Sequence, residues 1–466
     1  MPAPGAAVAV ALAGVLTGVA FTSALEVAGP KGAVAPLVLL LCIVLLRFPE
    51  AALGLLLTGT VLAESEAVGA IPSGERFYEQ VVSSFTAPDV LLLFGLAGVV
   101  LRFVATDVRP RLPEPLTLPL IILGMATLAG VATGLSANAG VAVGDLFHRS
   151  MHVGYLILVP LLTVNVLRDT RALKVFAIAA AALASLKGLT GLYAALAGVG
   201  GAVEEETATF LSPLPNMLML TFLLGVVAAR IRKVELPVWV LAGAPVAALA
   251  LLLSYRRSFW IAAVFTLIVV IVIASRRRGR AVIAICAVGL ALTVAAAATI
   301  GSSSSDPSTS PLAERAKTIA PGSLGSNRGD RYRMDERANV IENIEAHPLT
   351  GIGLGVPWEV HQPLAEAHDR RYAHVAFLWY WLALGPLGAI AYLALLAAAL
   401  ATSVQIWRRH PDSAIQACAI ACFGAFLGLA IVELTATFTG VEPRLSLLVG
   451  GLLGWLAAAW HDLPAR

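Results

Sequence analysis

Residues 375–399 read VAFLWYWLALGPLGAIAYLALLAAA, twenty-five consecutive residues without a charged side chain. About 20 apolar residues, rising 1.5 Å each in a helix, cross the hydrocarbon core of a bilayer. The pattern repeats outward from this stretch. Fourteen apolar segments are expected as helices, at about 6–25, 33–46, 51–63, 88–105, 116–135, 151–167, 173–199, 214–230, 237–253, 258–275, 281–299, 375–399, 413–436 and 445–460. The second and third are short and also fit one re-entrant hairpin, so the expected count is 12–14. The first lacks a basic start and a cleavage site and reads as a retained helix.

Composition agrees. The 466 residues are 58% hydrophobic and 13% charged, with a mean hydropathy of +0.85. Soluble domains carry about 25% charged residues. Too few charges remain to coat a soluble surface, which excludes a soluble enzyme, a nucleic-acid binder and a disordered chain. The fold expected is an all-α polytopic membrane protein. The net charge of +3 implies no nucleic-acid partner. Cys42, Cys286, Cys418 and Cys422 all lie in apolar runs and read as packing residues, not as a disulfide framework.

Distribution of charge sets the expected orientation. With the N-terminus cytoplasmic and the spans alternating, seventeen Lys and Arg fall in inside connections, including Arg276, Arg277, Arg278 and Arg280, against six in short outside connections. Both termini are then cytoplasmic and the long polar loop, about 300–374, lies outside. The chain divides into N-terminal helices (1–170), helices carrying an arginine pair (171–299), the loop (300–374) and C-terminal helices (375–466).

The loop opens on a flexible Ser-rich stretch, 301–311. An amphipathic helix is expected at Arg333–Ala346, with Met334, Ala338, Ile341 and Ile344 near one side, ended by His347-Pro348. Gly351-Ile-Gly-Leu-Gly355 is a tight glycine turn without the strand-to-helix context of a nucleotide loop. No Walker A motif, zinc spacing or G-x-S-x-G motif is present, so neither a metal nor a nucleotide cofactor is expected.

Charges at a membrane need a reason. Lys187 and Glu433 lie in apolar segments and are candidates for a functional role, lining a path in a transporter; snorkelling or lining an internal cavity also accounts for Lys187. Arg256 and Arg257 lie in an outside connection, where positive charge is disfavoured. They fit an interfacial anchor with Tyr255 and Trp260, or an anion clamp, because guanidinium forks match phosphate oxygens. The loop adds Arg328, Arg331, Arg333 and Arg337, with Asp330, Asp335 and Glu336 between them as salt-bridge partners. It also holds four of the eight histidines, His347, His361, His368 and His374. His374, at the mouth of a helix, fits an interfacial residue or a base for a hydroxyl proton.

In this order the pieces resemble the O-antigen ligase and polymerase family of bacterial membrane glycosyltransferases. Ser254-Tyr-Arg-Arg-Ser-Phe-Trp260 is similar to that family's Ser-Arg-x-x-Trp helix start, with its arginine at Arg257. Arg333 through Gly353 is similar to an arginine, an amphipathic helix and His-Pro-Leu-x-Gly-x-Gly. His374 through Gly388 is similar to His-Asn-x-x-Leu followed by Gly-Leu-x-Gly, with Val375 in place of the Asn. The resemblance implies a metal-independent, inverting enzyme of the GT-C-type ligase fold, working at the outer face of the plasma membrane. Its donor would be a polyprenyl-diphosphate-linked glycan and its acceptor a glycan or lipid hydroxyl. Arg257 and Arg333 would neutralise the diphosphate, His374 would take the acceptor proton, and Arg256, Arg328, Arg331 and Arg337 would assist in binding. A polymerase shares this donor chemistry. A transporter or flippase, and a non-catalytic assembly partner, are the readings outside it.

Overall fold

The computed structural model describes residues 34–63, 77–82, 84–106, 108–137, 142–198, 201–203, 206–208, 210, 212–274, 328–364 and 369–464. Its helices are α1 (Val34–Arg47), α2 (Pro49–Leu62), α3 (Ala87–Ala105), α4 (Thr117–Ser136), α5 (Val143–Val166), α6 (Thr170–Ala197) and α7 (Pro213–Ile231). They continue as α8 (Val238–Leu252), α9 (Arg257–Ala274), α10 (Arg328–Ala346), α11 (Ala376–Arg409), α12 (Ser413–Val432) and α13 (Pro443–His461). Two small antiparallel hairpins, β1 (Gln80–Val82) with β2 (Phe85–Thr86) and β3 (Gly201–Val203) with β4 (Glu206–Ala208), decorate the connections.

Every expected apolar segment within the described residues is a helix. Segments 6–25 and 281–299 and the Ser-rich stretch lie outside those residues. Among the described helices nine are long and apolar enough to cross a bilayer, and α8 is shorter. The chain bends by 110° between Leu39–Arg47 and Pro49–Leu62, as a re-entrant pair would. Pro49 starts the second arm, where a missing N–H costs nothing. Local chemistry sets other starts. Thr86 and Asp89 form a capping box before α3, and the Asp412 carboxylate accepts from the Ala414 and Ile415 amides before α12.

The helix expected at 375–399 runs on to Arg409. It is broken at Gly385, whose φ of 73° and ψ of −179° are non-helical, and Pro386 follows. Proline removes a backbone donor, and glycine tolerates positive φ.

The most enclosed helix is α13, with 78% of its apolar window buried. It packs on α5, α11, α7 and α2. At one end of the bundle basic and polar groups knit the helices together: Lys174 to Asp412 at 2.5 Å, Arg102 to Glu50 at 2.8 Å and Thr170 to Asp462 at 2.6 Å. Arg232 and Gln416 also join there. The opposite end carries the first turns of α7, α9, α11 and α13 and, across them, α10.

The docking of α10 departs from expectation. The helix begins at Arg328, and its buried face is Tyr332, Glu336, Asn339, Val340, Asn343 and Ile344. Met334, expected to face inward, is 66% exposed. Polar pairing decides this orientation. Asn343 donates to the Glu359 carbonyl at 2.8 Å and accepts from its amide at 2.9 Å. Asn339 donates to the Gln362 carbonyl at 3.1 Å and accepts from the His361 and Gln362 amides at 2.6 and 2.8 Å. The two asparagines thus stand in for a neighbouring strand and satisfy an irregular segment that would otherwise bury open amides.

The glycine turn anchors the end of α10. The Ile352 amide donates to the Leu382 carbonyl at 2.8 Å and the Leu354 amide to the Gly130 carbonyl at 2.9 Å, wedging the turn between α4 and α11. Gly353 has φ of +99°, and a Cβ there would lie 2.5 Å from the Gly134 nitrogen. Gly353→Ala should therefore cost at least about 2 kcal/mol, from an unfavourable φ and a backbone clash. Thermal unfolding in detergent measures this, and a melting temperature equal to wild type would refute the anchor.

Candidate active site at the arginine and histidine cluster

Tyr255 turns the chain at the end of α8 with a positive φ of 53°. Few non-glycine residues adopt that conformation. The Ser254 hydroxyl donates to the Leu251 carbonyl at 2.7 Å and accepts from the Arg256 amide at 3.4 Å. The Trp260 indole closes the turn on the Leu251 carbonyl at 3.1 Å. Arg256 and Arg257 are thereby presented at the start of α9. A helix N-terminus already carries partial positive charge, so two guanidiniums there oppose the dipole by about 0.3–1 kcal/mol each. The arrangement suits an anion better than it suits the helix.

An anion of the protein is at hand. Asp330, in the first turn of α10, places Oδ1 3.4 Å from Arg257 Nη2 and 3.4 Å from Arg333 Nη1. Arg257 and Asp330 are largely enclosed, with 17% and 13% of their side chains exposed, against 41% for Arg333. One carboxylate oxygen thus holds two guanidiniums toward a common point, although 73 residues separate Arg257 from Asp330.

The same helix holds the histidine. Glu336 is 2% exposed. Its oxygens lie 2.9 and 3.0 Å from His374 Nδ1, and Oε2 accepts from the His374 amide at 2.7 Å. The Tyr332 hydroxyl donates to Oε1 at 3.2 Å. A carboxylate accepts and does not donate, so Nδ1 carries the proton and the lone pair falls on Nε2. The Tyr372 and Tyr332 rings pack edge-on to the imidazole, at 4.7 and 5.7 Å between centroids. Burial and then the Glu336 carboxylate raise the Tyr372 phenol above its usual value, while Arg333 and Arg256 pull it back. The fields of both arginines therefore reach the histidine pocket.

The connection after α12 braces His374 from behind. The Thr437 hydroxyl donates to the Ala373 carbonyl at 2.5 Å, and the Ala376 amide donates to the Glu433 carbonyl at 3.1 Å. Glu433 is 3% exposed and accepts from the Thr439 amide at 2.8 Å, the Thr439 hydroxyl at 2.5 Å and Tyr392. It thus folds the loop that carries Thr437. Lys187 is buried at 4%, its ammonium 5.6 Å from the Phe210 ring centroid.

The structure brings together Arg257, Arg333 and His374, with Arg256 beside them. Arg331 and Arg337 are exposed, and Arg328 opens the helix. His368 lies outside the described residues. Asp330 and Glu336 read in the sequence only as local partners for neighbouring arginines. Nothing local links Glu336 to a histidine 38 residues away.

Residues 242–393 match the family model described as O-antigen ligase. About a third of the chain is therefore similar to the O-antigen ligase family. The matched span contains Arg256, Arg257, Asp330, Arg333, Glu336 and His374. No curated protein matches the chain.

The Glu336 contact fixes a checkable tautomer. In protein labelled with 15N-histidine, His374 should show the Nδ1-protonated form, and Glu336→Gln should populate both tautomers. A spectrum unchanged by that substitution would remove Glu336 from the role of orienting the ring.

Proposed function

We propose that this protein is a membrane glycosyltransferase of the O-antigen ligase family that moves a polyprenyl-diphosphate-linked glycan to an acceptor hydroxyl. The single observation that carries the reading is the meeting of Arg257, Arg333 and His374 on one helix through Asp330 and Glu336. Two guanidiniums around one carboxylate oxygen suit a diphosphate, which offers the same oxygens with more charge. An imidazole with its Nε2 lone pair set by a buried carboxylate suits removal of a hydroxyl proton.

In the step proposed, the acceptor oxygen attacks the anomeric carbon as its proton passes to His374 Nε2. The bond from that carbon to the diphosphate oxygen breaks, and polyprenyl diphosphate leaves with the bonding electrons. Arg257 and Arg333 stabilise the charge that gathers on it, and Arg256 adds to the field. Attack opposite the leaving group inverts the anomeric centre. The site lies at the end of the bundle opposite the basic cluster of Arg102, Arg168, Lys174 and Arg232. The bias of Lys and Arg toward the cytoplasm supports a location at the outer face of the plasma membrane, where no nucleotide sugar is available. A lipid-linked donor presents its chain to the bilayer and its sugar to such a rim.

Purified protein in nanodiscs should transfer glycan from a polyprenyl-diphosphate donor in the presence of EDTA. His374→Ala should lower kcat by at least about 10²-fold. Arg257→Lys and Arg333→Lys should each lose about 10²-fold, because an ammonium does not reproduce a bidentate fork. Full turnover in these three variants would overturn the assignment. Whole chains on a second acceptor would identify a ligase, and a ladder on the polyprenyl carrier a polymerase.

A further inference from the structure

A cavity of about 350 Å3 lies between the first turns of α7 and α13, lined among others by Ser212, Tyr372, Thr437, Phe438, Glu442 and Arg444. It shares a wall with the histidine pocket, because the Tyr372 ring stands 4.7 Å from the His374 ring. Its other aromatic wall, Phe438, faces Phe259, two residues beyond Arg257. Ligand pockets begin at about 300 Å3, so this volume accommodates a small ring and not a chain.

The lining specifies the ligand more closely. Arg444 is held by the Tyr78 ring, 4.8 Å from its guanidinium carbon. Its Nε is buried, stands 3.7 Å from Glu442 Oε1, and makes no hydrogen bond among the described residues. A buried donor that makes no hydrogen bond among the described residues is available to a ligand acceptor. The Glu442 carboxylate in the same wall opposes a second anion, so a diphosphate does not fit here. A hydroxyl group satisfies both neighbours at once, accepting from Arg444 and donating to Glu442. The aromatic walls offer faces for the C–H side of a pyranose ring.

We infer that this cavity is a saccharide subsite that seats the terminal sugar of the acceptor and presents its hydroxyl to His374. The inference rests on the catalytic reading given under Proposed function and adds to it where the second substrate lies. The diphosphate is assigned to the Arg257 and Arg333 side, and the uncharged, hydroxyl-bearing partner to the wall shared with the base.

The test uses methyl α-glucopyranoside and methyl N-acetyl-β-glucosaminide as probes, with the full chain in nanodiscs and saturation-transfer NMR. Wild type should transfer saturation to at least one glycoside, and the signal should persist with excess inorganic pyrophosphate. Glu442→Gln should weaken binding about tenfold, the effect of losing one charge-assisted hydrogen bond. Gln keeps a side-chain oxygen that accepts from the Arg444 amide as Glu442 does, so this substitution leaves the start of α13 intact. Val441→Trp should fill the cavity and abolish the signal. His374→Ala and Arg257→Lys should retain it. No signal in wild type, displacement by pyrophosphate, or a signal unchanged in both cavity variants would each overturn the subsite. Glycan transfer that survives His374→Ala would defeat the catalytic reading instead and leave the binding result standing.

Discussion

Two carboxylates on one polar helix hold the candidate site together. Asp330 draws Arg257 and Arg333 toward one point, and Glu336 grips both the ring and the backbone amide of His374. Both interactions run between α10 and the mouths of bundle helices. At Glu336, which is 2% exposed, such charge-assisted contacts are strong and are costly to leave half-made. They also bring cationic and basic groups together in a way their own repulsion would resist. Asp330 offsets the charge of two guanidiniums that would otherwise push apart.

The other described contacts around α10 fix its position. Asn339 and Asn343 clamp the segment 359–362, and the turn Gly351–Gly355 ties the helix end to α4 and α11. The connection after α12 supports the first turn of α11 through Glu433 and Thr437. These supports are hydrogen bonds with defined directions. They suit a site in which a base and an anion clamp must keep their spacing while substrates come and go. The Gly385-Pro386 break lies in α11, the helix that follows His374, and packs against Leu349 and Thr350 beside the glycine turn, so the chain bends where it is also gripped.

The described bundle and the region around α10 are thus built as two layers with different logic. Spans such as α12 and α13 are held by small and aliphatic side chains packed without direction. The layer above them is held by side chains that each have a specific partner. Glu433, a costly residue for an apolar segment, folds the loop that follows α12, and the Lys187 ammonium lies 5.6 Å from the Phe210 ring centroid.

The sequence by itself determined the helical membrane architecture, the position of nearly every described helix, and which arginines and histidine are candidates for the proposed site. Apolar runs, prolines, caps and charge asymmetry are local signals, and they act through solvent and backbone at the residue where they occur. Tertiary structure alone decided which face of α10 is buried, because the asparagine pairings with 359–362 outweigh the apolar stripe of Met334 and Ala338. It alone decided that Glu336 belongs to His374 and that Asp330 belongs jointly to Arg257 and Arg333. Arg257 lies 73 residues from Asp330 and His374 lies 38 from Glu336, and an ionised side chain selects its partner by distance in space, which only the packed bundle sets.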